Sequence, residues 1–220
     1  MDGCEYTGTA PFAEPLSTVT SLAFVVVGVA ILLGARRAAR RPSGAATGAT
    51  PLAPRTTLGV LAVLVGLGSV VQHGPAPSWS PVIHDPPLFG ALALVTADAV
   101  SDLTGRRMRT WWWLAPTLAD VLLAATVPEA STYFQWAVSV TAVGASALRA
   151  WFRPGVRRRV VLTIALLAAG GAVSTFTRTG WPCDAVGWFG VEPQGHAIWH
   201  VLAAAAMWVV APTLGRRATT

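Results

Sequence analysis

Residues 57–73 read TLGVLAVLVGLGSVVQH, an apolar run with no acidic residue, lysine or arginine that closes on a histidine. The run is continuously apolar, whereas strands of a membrane barrel alternate over ~10 residues, so it reads as a helix. A membrane-spanning helix needs ~20 such residues. Six further stretches of similar character run from about Leu16 to Gly34, Pro87 to Leu103, Trp111 to Val127, Ser131 to Leu148, Arg159 to Phe176 and His196 to Leu214. Over its 220 residues the chain is 53% hydrophobic and 12% charged, against ~25% charged for a soluble domain. The expectation is an all-α integral membrane bundle of seven transmembrane helices, with residues 1–220 as one domain. The first stretch reads as a retained helix, because acidic residues precede it and arginines follow it.

Every basic residue is an arginine, and a seven-helix topology puts 15 of the 16 on one side. They cluster after the first and third stretches, between the fifth and sixth, and at the carboxyl end; only Arg178 falls opposite. By the positive-inside rule this places the amino terminus outside and the carboxyl terminus in the cytoplasm. The same bias accounts for the high pI without nucleic-acid binding, for which no module is present. Exclusive use of arginine and abundant alanine point to a GC-rich, bacterial genome, hence to a bacterial cell membrane. The oligomeric state is not legible.

The chemistry lies in the histidines. His196 and His200 stand at i, i+4, on one face of a helix and one turn apart, as two ligands of one metal require. Alone, the pair serves equally well in ordinary contacts between helices. His73 ends the second stretch with Ser69 one turn before it, and Asp85 precedes the third, next to His84, a competing ligand. The topology, derived without the histidines, brings all of these to the outer face. Three imidazoles with an open position suit catalytic zinc, and hence hydrolysis. Asp85 would move the proton of the attacking water or orient a histidine, and Ser69 would hydrogen-bond the developing oxyanion. The simpler reading of Asp85, followed by Pro86 and Pro87, is a helix N-cap. Cys4 and Cys183 fall on the same outer side, where they can pair or remain two free buried thiols.

Other groups carry less. Trp111, Trp112 and Trp113 follow an arginine-rich loop, as an interfacial aromatic belt would. Asp98 and Asp102 are expected to pair with Arg106 or Arg107. Asp120 sits mid-helix and needs a polar partner.

Three blocks resemble the alkaline ceramidases, members of the CREST superfamily of seven-transmembrane hydrolases that also includes adiponectin-receptor-like proteins. They are Asp2-Gly3-Cys4-Glu5 with Ala13 through Ser21, Gly68 through His73 with Asp85 downstream, and Gly195 through His200. The resemblance covers most of the chain in the same order. It implies a zinc ion held by His73, His196 and His200, with Ser69 and Asp85 completing the site, and hydrolysis of the amide of ceramide or another N-acyl lipid to a fatty acid and an amine. It also implies a structural calcium near Asp2, Gly3, Glu5, Thr7 and Glu14, although Gly3 and Thr7 depart from the family pattern and the spacing to Glu14 is shorter. It supports a Cys4–Cys183 disulfide. Two other classes fit less of the sequence: a receptor-like protein with a structural zinc, and a metal or proton transporter, which would need a polar path across the bilayer.

Overall fold

A computed structural model of the chain describes residue 8 and residues 11–40, 52–180 and 194–216. Among these residues the regular structure is entirely helical. α1 (Pro15–Thr20) continues through Ser21 into α2 (Leu22–Ala39) as one apolar span. Then come α3 (Leu52–His73), α4 (Pro81–Thr104), α5 (Trp111–Thr126), α6 (Pro128–Phe152), α7 (Pro154–Arg178) and α8 (Gly195–Val210), which ends in a 3-10 turn at Ala211–Thr213. All seven expected stretches are helical. Five spans are long and apolar enough to cross a membrane: Pro15–Ala39, Ala53–His73, Pro81–Thr104, Pro154–Arg178 and Gly195–Thr213. α5, with 16 residues, is short for a span, and α6, though 25 residues long, is not among the five.

Glycine sets how closely α2 and α3 approach. A Cβ on Gly28 would lie 2.7 Å from the Gly59 carbonyl, and one on Gly66 would lie 2.9 Å from the Val25 nitrogen. Small residues let neighbouring backbones pack this tightly. Around the crossing, Phe24, Ile31, Leu58, Val65, Leu94 and Met207 form the buried core shared by α2, α3, α4 and α8.

α4 begins six residues earlier than expected. Its N-cap is Ser80 and Pro81 takes the first turn, so Asp85 lies inside the helix and does not cap it. Pro86 and Pro87 are therefore internal, and without an N–H at residue 87 the Ile83 carbonyl loses its helical donor. Gly68 packs onto that carbonyl, whose oxygen a Cβ there would strike. The end of α3 and the start of α4 are thereby held close, next to Ser69 and His73.

At the opposite end of the bundle, Arg149 is buried between two carboxylates. Its Nη1 donates to Asp98 and its Nε to Asp102, each at 2.9 Å, and its Nη2 donates to the carbonyls of Thr213 and Arg216 at 3.1 and 3.0 Å. Gly215 N–H donates to the second Asp98 oxygen at 3.0 Å, and Arg153 lies 3.6 Å from Asp102. This corrects the expectation that Asp98 and Asp102 meet Arg106 or Arg107. Both are buried, so their counter-charge comes from a neighbouring helix and not from the exposed loop. Asp120 has the polar partners its depth demands: Ser131 Oγ donates at 2.7 Å and Gln135 Nε2 at 3.3 Å, joining α5 to α6.

Removing one partner of a buried pair leaves the other charge uncompensated, at a cost on the order of 3–5 kcal/mol. Arg149→Leu should lower the thermal midpoint in detergent sharply, and adding Asp98→Asn and Asp102→Asn should recover part of the loss. An unchanged midpoint in the single variant would show that the cluster does not hold the bundle.

Candidate metal centre

The end of α3 and the start of α8 bring three histidines together. The ring centroids of His73, His196 and His200 lie 4.6–4.9 Å apart, and one nitrogen from each falls within 4.8 Å of the others. The Nε2 atoms of His73 and His196 are 3.2 Å apart. Two nitrogens on a tetrahedral zinc, each at ~2.0–2.1 Å, stand about 3.3 Å apart, so this pair already has the separation an ion imposes. Gly195 permits the approach of α8: a Cβ there would collide with Thr177 Oγ1 and the Val173 carbonyl of α7.

Each Nδ1 is engaged from outside the cluster. The segment before α1 is pinned to the end of α3 by main-chain bonds, with Glu14 N–H donating to the His73 carbonyl at 2.8 Å and Ala13 N–H to Gly74 at 2.9 Å. This sets the Glu14 carboxylate 2.9 Å from His73 Nδ1, at ion-pair distance though off the ideal hydrogen-bond line. His200 Nδ1 donates to the Ser17 carbonyl at 3.0 Å, with Thr20 and Ser21 hydroxyls at 3.3 and 3.4 Å. A carboxylate and a carbonyl can only accept, so His73 and His200 carry their protons on Nδ1 and present Nε2 lone pairs inward. His196 differs. Its Nδ1 faces Ser174 Oγ at 3.2 Å and Arg178 Nη2 at 3.1 Å. The guanidinium can only donate, so here His196 holds its proton on Nε2 and donates it to His73.

Burial raises the Glu14 carboxyl, but the contact with His73, a bond from Ser17 and the charge of Arg178 outweigh it, leaving the group below its ordinary 4.5. A depressed carboxyl stabilises the fold above its unfolded value, and that contribution is lost as pH falls through the folded value. Glu14 is therefore ionised throughout pH 5–8.

Ser69 lies one turn before His73 on the same face of α3, is 1% exposed, and its Oγ has no hydrogen-bond partner among the described residues. An orphaned buried hydroxyl beside three converging imidazoles fits a centre that an ion and its ligands complete. Asp85 is not among the three ligands. It pairs with His84 Nδ1, and the His84 ring meets His73 edge-on at 5.5 Å, so Asp85 reaches the cluster through His84. Cys4, Cys183 and four of the expected calcium ligands, Asp2, Gly3, Glu5 and Thr7, lie outside the described residues. Glu14, the fifth, faces His73.

Below the cluster an apolar cavity runs between α3, α4, α6, α7 and α8, with Ser146 and Thr163 its only polar lining among the described residues. Ala203 and Met207, one and two turns beyond His200 on its own face of α8, line the cavity. No family model matches the chain, and no curated protein matches it.

Sequence reasoning did not find the outer partners Glu14, Ser17 and Ser174 in these roles. Partners of this kind typically govern metal affinity 10–100-fold. Glu14→Gln should weaken zinc binding by about that factor in competition with a chelator, and His200→Ala should abolish it. Wild-type affinity in the Glu14 variant would remove Glu14 from the centre.

Proposed function

We propose that this chain is a seven-helix membrane hydrolase that cleaves the amide of an N-acyl lipid, ceramide or a relative, at a zinc ion held by His73, His196 and His200. The observation that carries the reading is the buried three-histidine cluster with an orphaned serine hydroxyl one turn from His73. The resemblance of three sequence blocks to the alkaline ceramidases supports the same chemistry. Bound there, zinc supplies Lewis acidity and lowers the pKa of water to ~7.

The chain's own residues do the rest. Glu14 and the Ser17 carbonyl fix the rings of His73 and His200, so the donors need little reorganisation. Ser69 donates its hydroxyl proton to the oxygen that gains charge as the amide carbonyl is attacked. The His84–Asp85 pair takes a proton from the attacking water and returns it to the leaving nitrogen, with His84 facing the cluster and Asp85 behind it. The apolar cavity along α8, about 70 Å³, marks where the acyl chain would part the helices. The arginine distribution supports a cytoplasmic carboxyl terminus and a site that opens toward the extracytoplasmic side of a bacterial membrane. Because α5 and α6 are consecutive, this orientation holds whether that pair crosses the bilayer or not.

His196→Ala should abolish fatty-acid release from a panel of N-acyl lipids while the protein stays inserted in the membrane. Chelation should do the same to the wild type, and zinc should restore it. An equally active His196→Ala variant would refute the hydrolase, and full zinc occupancy without turnover on any lipid would favour a structural zinc in a receptor-like protein.

A further inference from the structure

Arg178 is the last residue of α7, exposed, and its Nη2 donates to His196 Nδ1 at 3.1 Å. Its charge is felt at Glu14, yet no carboxylate of the described residues lies within ion-pair distance of it. The positive-inside bias does not account for it either, since the other 15 arginines fall on the opposite side of the proposed topology.

Its present contact is one that a loaded centre cannot keep. When His196 gives its Nε2 lone pair to an ion, its proton sits on Nδ1, and two donors would then face each other. Ser174 Oγ, at 3.2 Å from the same nitrogen, can accept that proton; Arg178 cannot. The guanidinium therefore swings free at the mouth of the site when the ion binds. A divalent ion and Arg178 there outweigh the carboxylates of Glu14 and Asp85, which leaves the mouth with excess positive charge. A guanidinium fork in that setting matches a carboxylate or phosphate.

We infer that Arg178 binds an anionic group on the amine side of the substrate, so that the lipids cleaved are N-acyl lipids carrying a carboxylate or phosphate beside the amide. The inference rests on the hydrolase reading for its substrate, but the recognition itself is measured without catalysis. Zinc-loaded protein in neutral detergent is titrated with uncleavable analogues of N-palmitoylglycine and N-palmitoylethanolamine in which a methylene replaces the amide nitrogen; they share the acyl chain and differ in the anion. Direct coordination of the carboxylate by the ion would persist in Arg178→Gln, so that variant separates the two contributions.

The wild type should bind the glycine analogue about tenfold more tightly than the ethanolamine analogue, the scale of one charge-assisted hydrogen bond. Arg178→Gln should bring the ratio to about one, and Arg178→Lys should keep part of it. No preference in the wild type, or a preference that survives in Arg178→Gln, would overturn the assignment. So would binding of phosphatidylglycerol as tight as that of the glycine analogue, which would give Arg178 to membrane headgroups instead. Fatty-acid release abolished by His196→Ala, alongside no anion preference, would leave the hydrolase standing and remove only this inference.

Discussion

The contact on which the site depends is the one between the segment entering α1 and the end of α3. Two main-chain hydrogen bonds, from Ala13 and Glu14 to the carbonyls of Gly74 and His73, satisfy acceptors that the end of a helix leaves open. The same registration carries the Glu14 carboxylate to His73 Nδ1 and the Ser17 carbonyl to His200 Nδ1. Two rings on two different helices are thus oriented by one short stretch of chain. Their Nε2 atoms converge because their Nδ1 atoms are held apart. α1 contributes no ligand, yet it fixes the tautomers on which binding of an ion depends.

The rest of the bundle supports that arrangement from below. Gly68 against the Ile83 carbonyl and Gly195 against Thr177 bring α3 to α4 and α8 to α7 at the level of the histidines. At the far end, Arg149 ties α4 and α6 to the residues after α8 through four hydrogen bonds. The apolar cavity lies between these two polar ends. Anchoring α8 at both ends, with small residues between, leaves room beside it without loosening the histidines at its start.

Much of this was legible in the sequence. Continuous apolar runs gave all seven helical stretches, and the i, i+4 spacing of His196 and His200 with His73 expected on the same membrane face gave the three candidate ligands. What stayed hidden has physical reasons. The partner of His200 is a main-chain carbonyl, which has no residue signature, and Glu14 reaches His73 only through a fold contact between distant segments. Proline signals placed the start of α4 too late, because Pro86 and Pro87 sit inside the helix where a glycine on α3 covers the freed carbonyl. Arg149 looked like a member of an exposed arginine run, since burial at a helix end leaves no trace in composition. The i, i+4 spacing of Asp98 and Asp102 was the available sign that one cation serves both.

The central claim is that His73, His196 and His200 hold one metal ion. Elemental analysis and zinc K-edge X-ray absorption on protein purified in detergent test it most directly. The account predicts one zinc per chain with imidazole nitrogens at ~2.0–2.1 Å, and a loss of the imidazole signature in His200→Ala. Protein that takes up no zinc, or zinc without imidazole scattering, would contradict it.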